Sequence, residues 1–200
     1  MKIAVIVIAC FNFFIVPHCG WAGDCSPVQI SFTGSYQLVP AHKDVCGLRL
    51  NLPAGDNRNI TGIDFGFLGS AVESKGIVLN LIGNFRSFSD SQDGSGTKGI
   101  QIGGLGNIQF VADMKGLQLA GLINLNSGDT DGIQLAGLYN GGGHVRGIQI
   151  SGLFNVATSV RGIQIGLFNI TQKLSGLQIG LVNYIRESPV PILPIINLKF

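Results

Sequence analysis

An all-β repeat fold, a stack of short and similar coils, is what this chain predicts, and three observations predict it. A short phrase recurs: glycine, aliphatic, usually glutamine, aliphatic, then a small-residue step, leucine and asparagine. Its clearest copies are GIQISGLFN (Gly147 to Asn155), GIQIGLFN (Gly162 to Asn169) and GLQIGLVN (Gly176 to Asn183). With Gly47-Leu48-Arg49-Leu50 as a degenerate first copy, the phrase glycines fall at 47, 62, 76, 99, 116, 132, 147, 162 and 176. The intervals are 15, 14, 23, 17, 16, 15, 15 and 14, a period near 15 in which each unit completes its neighbour's core. The second observation is composition: thirty glycines and a hydrophobic content of 46%, rich in Ile, Val and Leu, favour strands. The third is that no long helical periodicity follows the first twenty or so residues.

The elements follow in chain order. Residues 1–22 read as an export signal: Lys2, an apolar run from Ile3 to Val16 interrupted by Asn12, and Gly20-Trp21-Ala22 as a small-x-small cleavage site. That run is short for a spanning helix, which needs about 20 residues. Cys10 and Cys19 leave with the signal, so Cys25 and Cys46 are expected to pair in an oxidising compartment. Residues 23–46 do not repeat; alternating Val28, Ile30 and Phe32 make an opening strand or cap. Residues 47–185 form the repeat domain. Within it, 86–98 (RSFSDSQDGSGTK) accounts for the 23-residue interval and reads as an exposed inserted loop. Residues 186–200 form a closing strand or cap with alternating apolar residues and a terminal Phe200.

Inside a unit, Ile148 and Ile150 sit two apart on one strand face, with Leu153, Asn155 and Val160 following at spacings of about 2 and 3. A three-sided coil with these residues inward produces that pattern. The small-residue step, Ser151-Gly152 in one unit and Gly166 alone in the next, falls at a corner, where a one-residue change does not flip later side chains. The asparagines at the fixed place, Asn84, Asn107, Asn124, Asn140, Asn155, Asn169 and Asn183, are expected to stack as a hydrogen-bonded ladder at a corner. The repeat glutamines Gln101, Gln118, Gln134, Gln149, Gln164 and Gln178 are expected to face outward. On this assignment Asn155→Ala costs about 1–3 kcal/mol and a change at Gln149 less than about 0.5 kcal/mol. Met114, Val145, Val160 and Leu174, just before a phrase, add an apolar contact per unit. Asp64, the one carboxylate inside a phrase, reads as a residue of a solvated face.

A rival architecture uses the same residues. Ile148, Ile150, Gly152, Phe154 and Val156 share one parity, and Gln149, Ser151, Leu153 and Asn155 the other, as in a strand of an antiparallel outer-membrane β-barrel or meander. The terminal Phe200 fits that alternative. Against it, consecutive barrel strands run in opposite directions and have no reason to share one phrase, and the eight-residue copies break the phase. The solenoid-like stack is preferred.

Taken together, the GLQIGLVN-type repeats, the opening Pro27-Val28-Gln29-Ile30-Ser31, the segment GLRLNLPAGDNRNITGIDFG (Gly47 to Gly66) and the end PILPIINLKF resemble the surface-repeat proteins of Leptospira and other diderm bacteria. The resemblance covers nearly all of the chain after residue 22. It implies an exported protein of the cell envelope, outer membrane or cell surface, and it brings no catalytic residues. The degenerate copies at Gly62 and Gly76, which lack the glutamine, and the segment 86–98 depart from it.

A net charge of +2 and 12% charged residues give no electrostatic case for nucleic acid. Gly94 to Gly99 fits G-x-G-x-x-G, but a polar loop precedes it and a repeat strand follows, where a dinucleotide site needs a strand and then a helix. Asn126 to Gly132 resembles the start of a calcium loop, yet the twelfth position is Leu138 where a glutamate is needed. His42 and His144 are isolated from any second ligand. The expectation is a non-enzymatic protein with no cofactor, no metal and no small-molecule substrate, whose partner is the outer membrane or another envelope component. The low charge means an unusually large core or an apolar surface that faces lipid or a partner.

Overall fold

The structure, a computed structural model, describes residues 25–33, 36–86, 95–110 and 112–199. The export signal expected at 1–22, residues 87–94 of the expected loop and Phe200 lie outside the described residues. The chain is all-β: β1 (Cys25–Thr33), β2 (Tyr36–Gln37), β3 (Asp44–Arg86), β4 (Gly96–Gly103), β5 (Gly106–Gln109) and β6 (Asp113–Ala120). Then come β7 (Ile123–Asn126), β8 (Thr130–Ala136), β9 (Tyr139–Ser151), β10 (Phe154–Ile165), β11 (Phe168–Ile185) and β12 (Ile192–Lys199).

From β3 to β11 the pairing is parallel and in phase with the phrase, which makes a β-solenoid. Gly76, Gly99, Gly116, Gly132, Gly147, Gly162 and Gly176 are successive register partners. Gly47 and Gly62 extend the same column, because each phrase glycine lies against the carbonyl of the one before it. This parallel stack excludes the antiparallel barrel, whose neighbouring strands would alternate in direction. At a rung spacing of about 4.8 Å, nine coils make a rod about 40 Å long. The strand β1 continues the stack at one end by parallel pairing with β3, and β12 closes the other end antiparallel to β11. Cys25 and Cys46 lie at disulfide distance at the β1 end, with Cα atoms 5.8 Å apart.

The asparagines face inward as expected, whereas the faces expected for the glutamines and the aliphatic residues are corrected. Gln149 and Asn155 are both fully buried, whereas Ile150 and Phe154 are exposed and Ile148 and Leu153 half-exposed. The interior therefore takes the polar parity that the sequence offered for the barrel, and the aliphatic parity lies outside. Among the described residues, eleven apolar side chains are buried against thirty polar or charged ones, so this core is chiefly polar. Its apolar part runs along the column Met114, Val145, Val160 and Leu174, with Ala157 and Ile185 beside it near the β12 end. Arg86, in β3, and Ser95 are also buried, and Gly96 to Lys98 belong to β4, so the inserted segment is narrower than the sequence suggested.

The phrase glycine is fixed by backbone geometry. All nine have φ between +125° and +154°, where a side chain is strained. A Cβ at Gly147 would also run into the carbonyl oxygen of Gly132 one coil back. Gly147→Ala is expected to cost about 2–3 kcal/mol in urea unfolding. The exposed neighbour-column change Ser175→Ala should stay within about 0.5 kcal/mol; equal penalties would remove the geometric argument.

Candidate interaction surface

Two columns of side-chain amides hold the interior. Gln118 Nε2 donates to Gln101 Oε1 (2.9 Å), Gln134 to Gln118 (2.9 Å), Gln149 to Gln134 (2.8 Å), Gln164 to Gln149 (2.8 Å) and Gln178 to Gln164 (2.8 Å). The asparagines run the other way. Asn84 Nδ2 donates to Asn107 Oδ1 (2.7 Å), Asn107 to Asn124 (2.9 Å), Asn124 to Asn140 (3.1 Å), Asn140 to Asn155 (3.0 Å), Asn155 to Asn169 (2.9 Å) and Asn169 to Asn183 (2.8 Å). Each asparagine from 107 to 169 also donates to a backbone carbonyl, as Asn155 does to Ile165 O at 2.8 Å. Burying an unpaired amide costs several kcal/mol, so a polar core is stable only when its members satisfy one another in this way.

Nearer β1 the asparagine column reaches a buried ion pair, one member of which, Asp64, the sequence reading placed on a solvated face; the glutamine column stops at Gln101, beside Val78. Arg49 and Asp64 occupy the glutamine position of their coils, two residues after Gly47 and Gly62, and their side chains are 1% exposed. Arg49 Nε and Nη2 donate to the two oxygens of Asp64 at 2.9 and 2.6 Å, and Arg49 Nη1 donates to Ser70 O at 2.8 Å. Asn51 and Asn80 donate to the same carboxylate, at 2.7 and 3.2 Å, and Asn80 also donates to Asn84, which opens the asparagine column. Asn80 thus supplies the N–H on which that column starts, and the carboxylate accepts from the same Asn80 amide. A cavity of about 20 Å³ beside this pair has room for about one water. Among the described residues no group of three His, Cys, Asp or Glu side chains is placed to hold a metal ion.

The surface open to partners is the outside. Two sides of each coil meet at the bend near Gly152-Leu153. The first presents Ile148 and Ile150 and their equivalents, including Ile133, Ile165 and Ile179, and the second presents Phe154, Val156, Phe168 and Ile170. Phe154 and Phe168 stack in adjacent coils with centroids 4.9 Å apart. The bend between the sides carries a leucine row: Leu105, Leu122, Leu138, Leu167 and Leu181, of which Leu138 is 42% and Leu181 61% exposed. Along the first side a shallow apolar groove of about 350 Å³ is lined by Ile102, Leu119, Leu135 and Ile150 with small residues between them.

From Gly99 to Asn183 charge is confined to the remaining edge, which carries Asp113, Lys115, Asp129, Asp131, Arg146, Arg161 and Lys173. There Arg146 binds Asp131 through Nε, with Nη2 to Oδ2 at 2.8 Å, and this hydrogen bonding holds the Asp131 carboxyl below its usual range. The calcium-like turn is taken up locally: Asp131 faces Arg146, and Asn126 turns inward to Thr130 at 2.9 Å.

Comparison with protein-family models, with curated proteins and with solved structures finds no match for the chain.

Truncating either ladder leaves buried partners unsatisfied, so the expected cost at glutamine rises to that at asparagine. Gln149→Ala strands Gln134 Oε1 and Gln164 Nε2, and Asn155→Ala strands Asn140 Nδ2 and Asn169 Oδ1. Each is expected to cost about 1–3 kcal/mol or more in urea unfolding. A Gln149→Ala penalty below about 0.5 kcal/mol would show that the ladder contributes nothing. Removing one member of the ion pair, as in Asp64→Ala, is expected to cost about 3–5 kcal/mol.

Proposed function

We propose that this chain is an exported, non-enzymatic repeat protein of a bacterial cell envelope, and that its work is contact made through the apolar outer sides of the solenoid. The observation that carries the reading is the aliphatic and aromatic exterior, free of charge from Gly62 to Asn183, which runs along the stack on two sides around a hydrogen-bonded polar core. Monomeric soluble proteins rarely expose a contiguous apolar patch above a few hundred Å² unless it is a site of interaction. Two sides about 15 Å wide and about 40 Å long amount to on the order of 1,000 Å². The cysteine pair at disulfide distance suits an oxidising compartment, and the resemblance to the surface-repeat proteins of diderm bacteria points the same way.

The test is fractionation of a diderm host that expresses the full chain, together with thiol trapping. The expected outcome is recovery with the envelope, loss of an N-terminal segment near residue 22, and Cys25 and Cys46 both protected from alkylation until reduction. A cytoplasmic, unprocessed chain with both thiols alkylated without reductant would refute the reading.

A further inference from the structure

We infer that the solenoid lies flat in one leaflet of a membrane: the leucine row points into the acyl chains and the charged edge stays among the headgroups. The inference names the partner of the surface described above and rests on the envelope reading only for which membrane is met.

Shape decides between occupants. The two apolar sides face away from each other across the bend at Gly152-Leu153, so a single flat protein partner or one second copy covers one side and leaves the other in water. An acyl phase surrounds both sides and the corner at once. The surface is also nearly free of the polar groups that give protein interfaces about one hydrogen bond per 100–200 Å². The parallel pairing runs along the rod, so backbone donors and acceptors on the long sides are already satisfied, as a hydrocarbon environment requires. At the β12 end, Pro194 within the last strand has no N–H to offer.

Depth agrees. From the charged edge to the leucine corner each side is about five residues, or about 15 Å, which is about half of a hydrocarbon core about 30 Å thick. The groove lined by Ile102, Leu119, Leu135 and Ile150 runs along this depth and can seat part of an acyl chain.

Charge sets the boundary. Lys75, Lys98, Lys115, Asp131, Arg146, Arg161 and Ser175 are successive register partners, one residue before each phrase glycine. Five of the seven are cationic, and the row borders the isoleucine side. Long cationic side chains reach from an apolar surface to the headgroup level, where anionic lipids attract them. Lys75 and Lys98 share Glu73 and Arg146 has Asp131, so Lys115 and Arg161 are the row's most suitable anchors.

The experiment is flotation of the folded full chain with vesicles of phosphatidylcholine alone and with added phosphatidylglycerol. Flotation with both, stronger with the anionic lipid, is expected. Leu138→Gln with Leu167→Gln, at exposed positions, should lower partitioning at least about tenfold while the β circular dichroism and thermal unfolding stay unchanged. Lys115→Glu with Arg161→Glu should abolish the gain from phosphatidylglycerol and leave binding to phosphatidylcholine. Entrapped dye should stay inside, since one leaflet is not crossed. Failure to float, dye release, or a soluble oligomer that the leucine changes dissolve would each overturn the inference. A chain that floats yet is never exported would overturn the envelope reading and leave this one standing.

Discussion

The side-chain amide ladder is the interaction on which this structure depends. Each coil of about fifteen residues encloses a narrow interior, and most of the residues that fill it are polar, glutamine and asparagine foremost. An amide is well suited to that role because it is donor and acceptor at once, and its partner in the next coil is another amide at the same height. The parallel register supplies this repetition at every rung. The glycine column then follows, since bringing coils to amide distance leaves no room for a Cβ at the tight turn. The two ladders donate in opposite directions along the rod, so their amide dipoles oppose one another.

A polar interior also fixes the exterior. With the inward positions given to amides, the aliphatic residues of each strand are left facing out, and each coil repeats the arrangement. The usual driving force for folding is thereby redirected: apolar side chains on adjacent coils cover one another along the outer face, as Phe154 and Phe168 do, and the rest of their surface is held ready for contact. The core is not uniform along its length. The column that holds Gln109 and Asn126 becomes Ala157, Thr171 and Ile185 toward β12, so the polar network is densest near β1, where Arg49 and Asp64 lie.

Much of this was legible in the chain, and the part that was not has a physical reason. The coil period, the corner that absorbs one residue at Gly166, the inward asparagines and the apolar column of Met114, Val145, Val160 and Leu174 all follow from spacing. Which face is inside did not, because the rule that aliphatic residues go inward competes with a ladder that only the third dimension displays. A signal was nevertheless present. The glutamine column is identical in six coils, whereas the column that precedes the phrase glycine mixes lysine, aspartate, arginine and serine. A solvated position tolerates such variety, and a position that must hydrogen-bond to its own copy does not. Arg49 and Asp64 could have been found the same way, as opposite charges in adjacent coils at the glutamine position.

Identical rungs carry a consequence for how the chain finds its place. A coil shifted by one whole unit meets the same glycine, glutamine and asparagine that it left, so from Gly99 to Asn183 the lateral contacts barely distinguish the correct alignment from one displaced by a coil. Among the described residues, singular features at the β1 end, the Arg49–Asp64 pair and the juxtaposed Cys25 and Cys46, and the antiparallel β12 at the other, break that translational symmetry most sharply. They act as bookends: the middle of the rod can gain or lose whole coils by duplication or deletion, while the ends decide where counting starts.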